Sequence, residues 1–292
     1  MENTPASALY GVVGYPAGHS LSPAMHNAAF RAFSMDAEYR VFEVAPHDLE
    51  TFIQSLPSRG ILGLNVTIPH KEKAAALLDY VSPEARRVGA VNTVKVHSGR
   101  REGFNTDGPG FLAHLRELGV ELGAKTIAVL GAGGASRAIC FYCAQSAPKE
   151  IAVYNRDSAK SHRLVEALNE NFPGTTAFRA AETVEKLDLA EADILINATS
   201  LGMKEDDEMP VEPRYLHPGL FVYDLVYNPA RTKLIELSLK KGCRASNGLG
   251  MLLHQGMLSF EIWTGRKPPR KEMETALLEA QEELWRSSKK HT

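Results

Sequence analysis

The sequence predicts an α/β protein of two domains, and three observations carry that prediction. Short β-branched runs alternate with helix-length amphipathic segments almost from end to end, the pattern of parallel strands joined by crossover helices. The 292 residues are about twice a typical domain length. Midway, a strand-like run enters a glycine-rich turn and then an apolar helix, so a second strand–helix series begins where the first ends.

In chain order, a strand over Leu9–Gly14 precedes a helix from Pro23 to about Phe33, and Pro23 suits a helix start because its φ is already fixed. A strand at Tyr39–Val44, a helix opened by Pro46, a strand at Gly63–Thr67 and a helix from near His70 follow. Asn92–Val96 and Arg101–Asn105 flank Ser98-Gly99, which predicts a hairpin at the sheet edge. A helix from Asp107 leads to Lys125. The second series has strands at Thr126–Leu130, Ile151–Asn155, Thr176–Arg179, Ile194–Asn197, Phe221–Leu225 and Arg244–Asn247, most of them separated by helical segments. Two helices close the chain, Leu249–Thr264 and Arg270–Trp285. In the latter, Met273, Leu277, Ala280 and Leu284 recur at three- and four-residue steps and mark one apolar face. Terminal helices that return to the first domain set its extent at 1–107 with 249–292, leave 108–248 for the second, and put hinges near Asp107 and Gly248.

Lys+Arg 33 against Asp+Glu 35 leaves a net charge of −2, without the basic excess of a nucleic-acid binder. A hydrophobic fraction of 44% is ordinary globular composition and buries a core without disulfides or metals. Three cysteines, 140, 143 and 243, make no disulfide framework. Cys140 and Cys143 have C-x-x-C spacing but fall inside a helix, not at the N-terminus where a thiolate is stabilised. The first residues lack a basic, then apolar, leader, and no apolar stretch reaches the ~18–20 residues of a membrane span. The expectation is a soluble cytoplasmic protein with small-molecule partners and no metal, as monomer or homodimer.

The glycine turn is Gly131-Ala132-Gly133-Gly134-Ala135-Ser136, directly after Thr126–Leu130. Strand, tight glycine turn and helix is what a dinucleotide pyrophosphate requires: Gly131 for the turn, Gly133 for close approach, and the helix amides for the anion. A purely structural turn uses glycine as freely, so position after a strand is what favours the dinucleotide. The next strand ends Asn155-Arg156-Asp157-Ser158-Ala159-Lys160. Arg156 can stack on adenine and pair with a 2′-phosphate, with Lys160 as second cation, which points to NADP. An inward Asp157 would repel that phosphate; as helix N-cap it would face backbone amides instead.

Two further runs join a strand end to a helix start, where open α/β sheets bind ligands. Between Gly14 and Asn27, Ser20 and Ser22 offer hydroxyl donors suited to a carboxylate or polyol, although Ser22 could simply cap a helix. Between Asn65 and Lys71, Asn65, Thr67 and Lys71 crowd the same rim, although a lysine alone there is ordinary surface. The clusters 89–93 (GAVNT) and 103–108 (GFNTDG) add groups able to bond hydroxyls.

Taken together, GYPAGHSLSPAMHN, NVTIPHK, GAVNT, GFNTDG, GAGGASRA, NR, NATSLGM, DLVYNP and NGLGMLLHQG, in that order, resemble the shikimate dehydrogenase family over nearly the whole chain. The resemblance implies an N-terminal α/β substrate domain, a Rossmann-type NADP-binding domain and C-terminal helices packed on the first. It implies NADPH-dependent reversible reduction of 3-dehydroshikimate to shikimate, with Lys71 and Asp107 as the acid/base pair. Ser20, Ser22 and Tyr227 would meet the substrate carboxylate, and Asn65, Thr67, Asn92, Asp107 and Gln255 the ring hydroxyls. Gly131, Ala132, Gly133, Gly134, Ala135, Asn155, Arg156, Lys160, Thr199, Met203, Leu225, Gly248 and Gly250 would line the cofactor. Asp157 stands where the family commonly has Thr, and Lys160 where it commonly has Arg. The alternatives are a quinate/shikimate dehydrogenase with relaxed substrate and NAD use, and a non-catalytic NADP-sensing protein on the same scaffold.

Overall fold

Two six-stranded sheets organise the computed structural model, which describes residues 8–288. The first series is β1 (Ala8–Gly14), α1 (Ser22–Ala32), β2 (Ala37–Glu43), α2 (Leu49–Gln54), β3 (Ile61–Val66), α3 (Lys71–Ala74), β4 (Tyr80–Val81), α4 (Pro83–Val88), β5 (Thr93–His97) and β6 (Arg100–Phe104). Then come α5 (Asp107–Glu117), β7 (Thr126–Leu130), α6 (Gly134–Ala144), β8 (Glu150–Tyr154), α7 (Ser158–Asn171), β9 (Ala177–Ala181) and β10 (Ile194–Asn197). β11 (Phe221–Asp224), α8 (Lys233–Lys240), β12 (Arg244–Asn247), α9 (Leu249–Thr264) and α10 (Arg270–Ser288) complete it. The chain divides into two compact units: one runs to Gly110 and resumes at Leu253, the other is Phe111–Leu252. It therefore leaves the first unit within α5 and re-enters it within α9.

The first sheet has the order β2-β1-β3-β5-β6-β4. β1 pairs in parallel with β2 and β3, but β5 runs antiparallel to both β3 and β6. The sheet is thus mixed, where the alternating pattern alone suggests a parallel one. The β5–β6 hairpin is also not at the edge, because β4 pairs outside it. Two residues are too few to show a period, so β4 is invisible in the sequence. The same holds for α4, whose six residues start at a Ser82 side chain accepting from Ala85 N–H. α2 begins at Leu49, past the turn at Pro46, and α3 is only four residues long.

Side-chain alternation along β3 sorts the core into two layers. Leu64 and Val66 point to α2 and pack with Leu49, Phe52 and Ile53. Gly63 and Asn65 point the other way, to α9, where Trp263 lies over Gly63 and Ser259 meets Asn65. α10 packs along α1 on this side. An aromatic cluster fills the layer: His26 stacks on Tyr39 at 4.5 Å, and Trp263 lies 5.1 Å from His26 and 5.4 Å from Tyr10. Trp263 also donates its indole N–H to the Val94 carbonyl at 2.9 Å. His26 is fully buried, and neither ring nitrogen has a hydrogen-bond partner.

In the second unit all strands are parallel, in the order β12-β11-β10-β7-β8-β9. That is the doubly wound dinucleotide topology, with its switch point between β7 and β10. Only 3-10 turns, Glu185–Leu187 and Pro213–Tyr215, fill the connections on either side of β10, where the sequence pattern suggests longer helices. Cys140 and Cys143 sit buried in α6, and burial pushes the Cys140 thiol up to about 12, opposite to the lowered value of a reactive thiolate. Among the described residues no helix is long and apolar enough to cross a membrane.

Burial holds His26 neutral down to a pKa of about 3, from its ordinary 6.5. The unfolded chain takes up the proton first, so the stability this group contributes is complete above 6.5 and is lost as pH falls toward 3. Between pH 7.5 and 5.5 the loss through this one group is about 1.4 kcal/mol. His26→Phe should remove that much of the acid sensitivity, measured as urea-unfolding free energy at both pH values. An unchanged difference would place the sensitivity elsewhere.

Candidate functional site

A buried ion pair stands at the centre of the polar residues in the first unit. Lys71 Nζ lies 2.6 Å from Asp107 Oδ2, and the two side chains are only 13% and 5% exposed. Lys71 opens α3 just after β3, and Asp107 opens α5, where a carboxylate suits the positive end of the helix. Asn105 holds that start in place by accepting the Asp107 backbone N–H at 3.1 Å. The second carboxylate oxygen accepts from Asn92 Nδ2 at 2.8 Å. Asn92 Nδ2 also approaches Gln255 Oε1 at 3.3 Å, where α9 passes close to Gly110 of α5. Lys71, Asn92, Asp107 and Gln255 are therefore one contiguous group, reached from four separate stretches of chain.

Behind them lies a buried polar layer. Asn92 Oδ1 accepts from Thr106 N–H at 2.7 Å and from the Thr93 hydroxyl at 3.0 Å. Ser259 ties Thr93 to Asn65, at 2.8 and 2.9 Å. Asn65 Oδ1 accepts from the Tyr39 hydroxyl at 2.7 Å. Both Asn65 amide hydrogens have protein acceptors nearby, and only one lone pair on Oδ1 is left for another donor. Asn65 thus faces inward, while Thr67, two residues on, is half-buried at the strand end and gives its N–H to Val13.

Ser20 and Ser22 follow β1. Tyr15 N–H donates to the Ile68 carbonyl at 3.0 Å, which sets the loop after β1 beside the loop after β3. Ser22 is the first residue of α1 and makes no capping bond; Ser20 Oγ instead accepts from Ser22 N–H at 3.3 Å. The capping explanation of Ser22 is thereby removed. All of the sequence-derived substrate residues except Tyr227 belong to this unit; Tyr227 belongs to the other.

The second unit carries the glycine turn at the end of β7. Gly131 has φ +103, which a residue with a Cβ adopts only under strain. Gly133, the N-cap of α6, has no atom within 4 Å of where a Cβ would stand, so its surface is open. Ser136 closes the turn by donating to the Gly131 carbonyl at 2.5 Å. Asn155 accepts the Ala132 N–H at 3.1 Å and donates to the Asp157 carbonyl at 2.9 Å, so its amide serves the turns. Arg156 and Lys160 are exposed beyond it. Asp157 does occupy the N-cap of α7, but its side chain makes no cap bond and is exposed. An open glycine cradle, an eleven-residue helix starting at it and two exposed cations fit a phosphorylated dinucleotide. Gly134 and Ala135 form the first turn of that helix.

Thr199, Met203, Leu225 and Gly248 lie on loops at strand ends of the same sheet, and Gly250 lies in the first turn of α9. Thr199 is fixed through Asn197 Oδ1 at 2.7 Å, and Asn197 Nδ2 donates to buried Asp224 at 2.9 Å. Asp224 also accepts from Thr232 Oγ1 at 2.6 Å, and burial raises its carboxyl above the ordinary value. Asp207 Oδ2 accepts the N–H groups of Gly202 and Lys204, so one residue of the acidic run holds the turn bearing half-exposed Met203. A Cβ on Gly248 would strike the Leu225 carbonyl, and one on Gly250 the His114 ring. Sequence reasoning did not single out Ser259, Tyr39, Asp224 or Glu43. A lone serine four residues after Gln255 in an apolar helix was the available signal for Ser259. Among the described residues no group of three or more metal-ligating side chains occurs.

Family models match in three places: the shikimate dehydrogenase substrate binding domain over residues 12–94, shikimate / quinate 5-dehydrogenase over 114–205, and the shikimate 5′-dehydrogenase C-terminal domain over 248–278. A shikimate dehydrogenase (NADP(+)) of Methanopyrus kandleri is 45% identical over 279 residues, 93% of this chain and 95% of its own. The solved shikimate 5-dehydrogenase of Thermus thermophilus, in complex with NADP(H) and shikimate, is 38% identical with a TM-score of 0.83, covering 93% of this chain and 99% of its own. Quinate dehydrogenase of Corynebacterium glutamicum, in complex with NAD, is 30% identical with a TM-score of 0.83, covering 94% and 99%.

Because Gly133 has ordinary extended backbone and open space at its Cβ position, Gly133→Ala should fold like the wild type. The added methyl would fill the open space at the turn, where a dinucleotide phosphate would approach the backbone. Calorimetric titration with NADPH should show binding weakened by about tenfold or more, the value of one hydrogen bond to a charged group. Unchanged affinity would remove the turn from the binding site.

Proposed function

The chain belongs to the shikimate dehydrogenase family, and from that premise we propose that it reduces 3-dehydroshikimate reversibly to shikimate with NADPH, using Lys71 and Asp107 as its acid/base pair. The observation that carries the reading is the buried Lys71–Asp107 contact with Asn92 and Gln255 alongside. A scaffold kept only to sense the dinucleotide has no use for a desolvated lysine–aspartate pair, whose burial costs free energy.

In this reading the first unit holds the substrate and the second the dinucleotide. Gly131 to Ala135, Arg156 and Lys160 would hold the pyrophosphate and the 2′-phosphate, and Thr199, Met203, Leu225, Gly248 and Gly250 the nicotinamide end. NADPH, when bound, supplies the hydride. Lys71 gives a proton to the substrate's C3 oxygen as negative charge gathers there, and its own charge stabilises that oxygen. Asp107 fixes the ammonium by a 2.6 Å contact and keeps Oδ1 on Asn92. Ser20 and Ser22 receive the carboxylate. Thr67, Asn92 and Gln255 bond the ring hydroxyls, and Asn65 contributes its last lone pair while holding Thr93 and Asn92 from behind.

The NAD reading keeps one observation in its favour: Asp157 is an exposed carboxylate next to Arg156, where it would oppose a 2′-phosphate.

Lys71→Ala should lower kcat for dehydroshikimate reduction by about 10²–10⁴, the range of a positioned acid/base, and leave NADPH affinity unchanged. A variant with more than half the wild-type kcat would take Lys71 out of the role. Asp157→Thr should raise the kcat/KM preference for NADP⁺ over NAD⁺ with shikimate by about two- to fivefold, the worth of one exposed like charge. A constant ratio would show that Asp157 faces away from the 2′-position. Quinate, assayed in parallel, decides between the two substrate readings.

A further inference from the structure

Glu43, the last residue of β2, turns its carboxylate back onto the loop that carries Ser20 and Ser22. One oxygen, Oε1, accepts the N–H groups of Ala17 at 2.9 Å and Gly18 at 2.8 Å. Two successive amides aimed at one point form a small anion-binding concavity, and here the protein fills it with its own side chain. The rest of the loop is tied at its ends: Tyr15 N–H to the Ile68 carbonyl, Ser20 N–H to the Ala17 carbonyl, and Ser22 N–H to Ser20 Oγ. Ala17 itself is buried, so water is a poor substitute for Glu43 at its amide. The same two amides, Ala17 first, hold the Glu43 carboxyl below the usual carboxylate range, so the acceptor is ionised near neutral pH.

We propose that Glu43 is a positioning residue for substrate binding, holding the loop between Tyr15 and Ser20 so that Ser20 and Ser22 present their hydroxyls to the substrate carboxylate. This rests on the reading of the two serines given above and adds a residue that never touches the substrate. The sign of its effect separates it from simple electrostatics. A carboxylate near an anion site repels the substrate, so on charge alone its removal lowers KM. As a clamp its removal raises KM.

Three substitutions resolve this. Glu43→Ala removes the acceptor; Glu43→Asp keeps the charge but shortens the reach; Glu43→Gln loses the charge and keeps an oxygen at the Oε1 position. Steady-state kinetics with shikimate should give KM raised about tenfold in the alanine and aspartate variants, the scale of losing a charge-assisted bond. Their kcat and calorimetric NADPH affinity should stay within about twofold of wild type, and the glutamine variant should return KM to near the wild-type value. A KM in Glu43→Ala at or below wild type overturns the proposal, and so does a Glu43→Gln variant as impaired as Glu43→Ala. Ser20→Ala and Ser22→Ala are measured alongside. If neither serine variant raises KM, the reading of the serines has failed; if they do and Glu43→Ala does not, only the clamp has failed.

Discussion

The buried polar layer of the first unit is arranged around one costly feature, an ammonium and a carboxylate 2.6 Å apart and largely shielded from solvent. Removing two charges from solvent is unfavourable unless each remaining donor and lone pair finds a partner. The carboxylate therefore sits at a helix start, takes Lys71 on one oxygen and Asn92 on the other, and has its backbone amide held by Asn105. Asn92 in turn needs fixed partners, and Thr106 and Thr93 supply them. Each step moves the requirement one residue further from the charge.

The layer ends where the requirement can be met by apolar contact. β3 shows the gradient on a single strand face: Gly63 lies under the Trp263 ring, Asn65 binds Tyr39 and Ser259, and Thr67 reaches the half-buried rim. Two residues of rise, roughly 6.6 Å, separate each from the next. So the strand face passes from aromatic core to polar support, and Thr67, just past the strand end, carries it to the half-exposed rim. The neutral, unpartnered His26 belongs to the apolar end of this gradient, stacked on the same Tyr39 whose hydroxyl begins the polar end.

What the sequence makes legible follows from how local the signal is. Strands of five to seven residues and the glycine turn are read correctly because periodicity and turn chemistry act within a few residues. β4, with two residues, and the antiparallel placement of β5 are not, because they depend on pairing across the sheet. The site divides in the same way. Ser20, Thr67, Lys71 and Asp107 stand out in polar runs at element boundaries. Ser259 does not, because the side chains it binds are 153 to 194 positions away in sequence. Asp157 shows the opposite limit: its N-cap position is legible, yet its side chain makes no cap bond, and only coordinates reveal that.

Both units hold their strand-end loops with side-chain oxygens, and burial sets how firmly. In the second unit, buried Asp224 gathers Asn197, Thr232 and the Val226 amide, three donors around a carboxylate that water does not reach. Losing any of them would strand a buried polar group, so those loops are fixed before any ligand arrives. Exposed carboxylates act at the surface: Asp207 on the Gly202 and Lys204 amides, and Glu43 on those of Ala17 and Gly18. Water competes where the amide is exposed, as at Gly18 and Lys204, so those bonds are weaker than their buried counterparts. The serine loop is accordingly the part of the first unit's site whose geometry rests on an exchangeable contact, whereas Lys71, Asn92 and Asp107 are locked by the interior. The Lys71–Asp107 pair is thus placed rigidly by burial, and the loop of Ser20 and Ser22 is held in part by a contact that one substitution at the surface can tune.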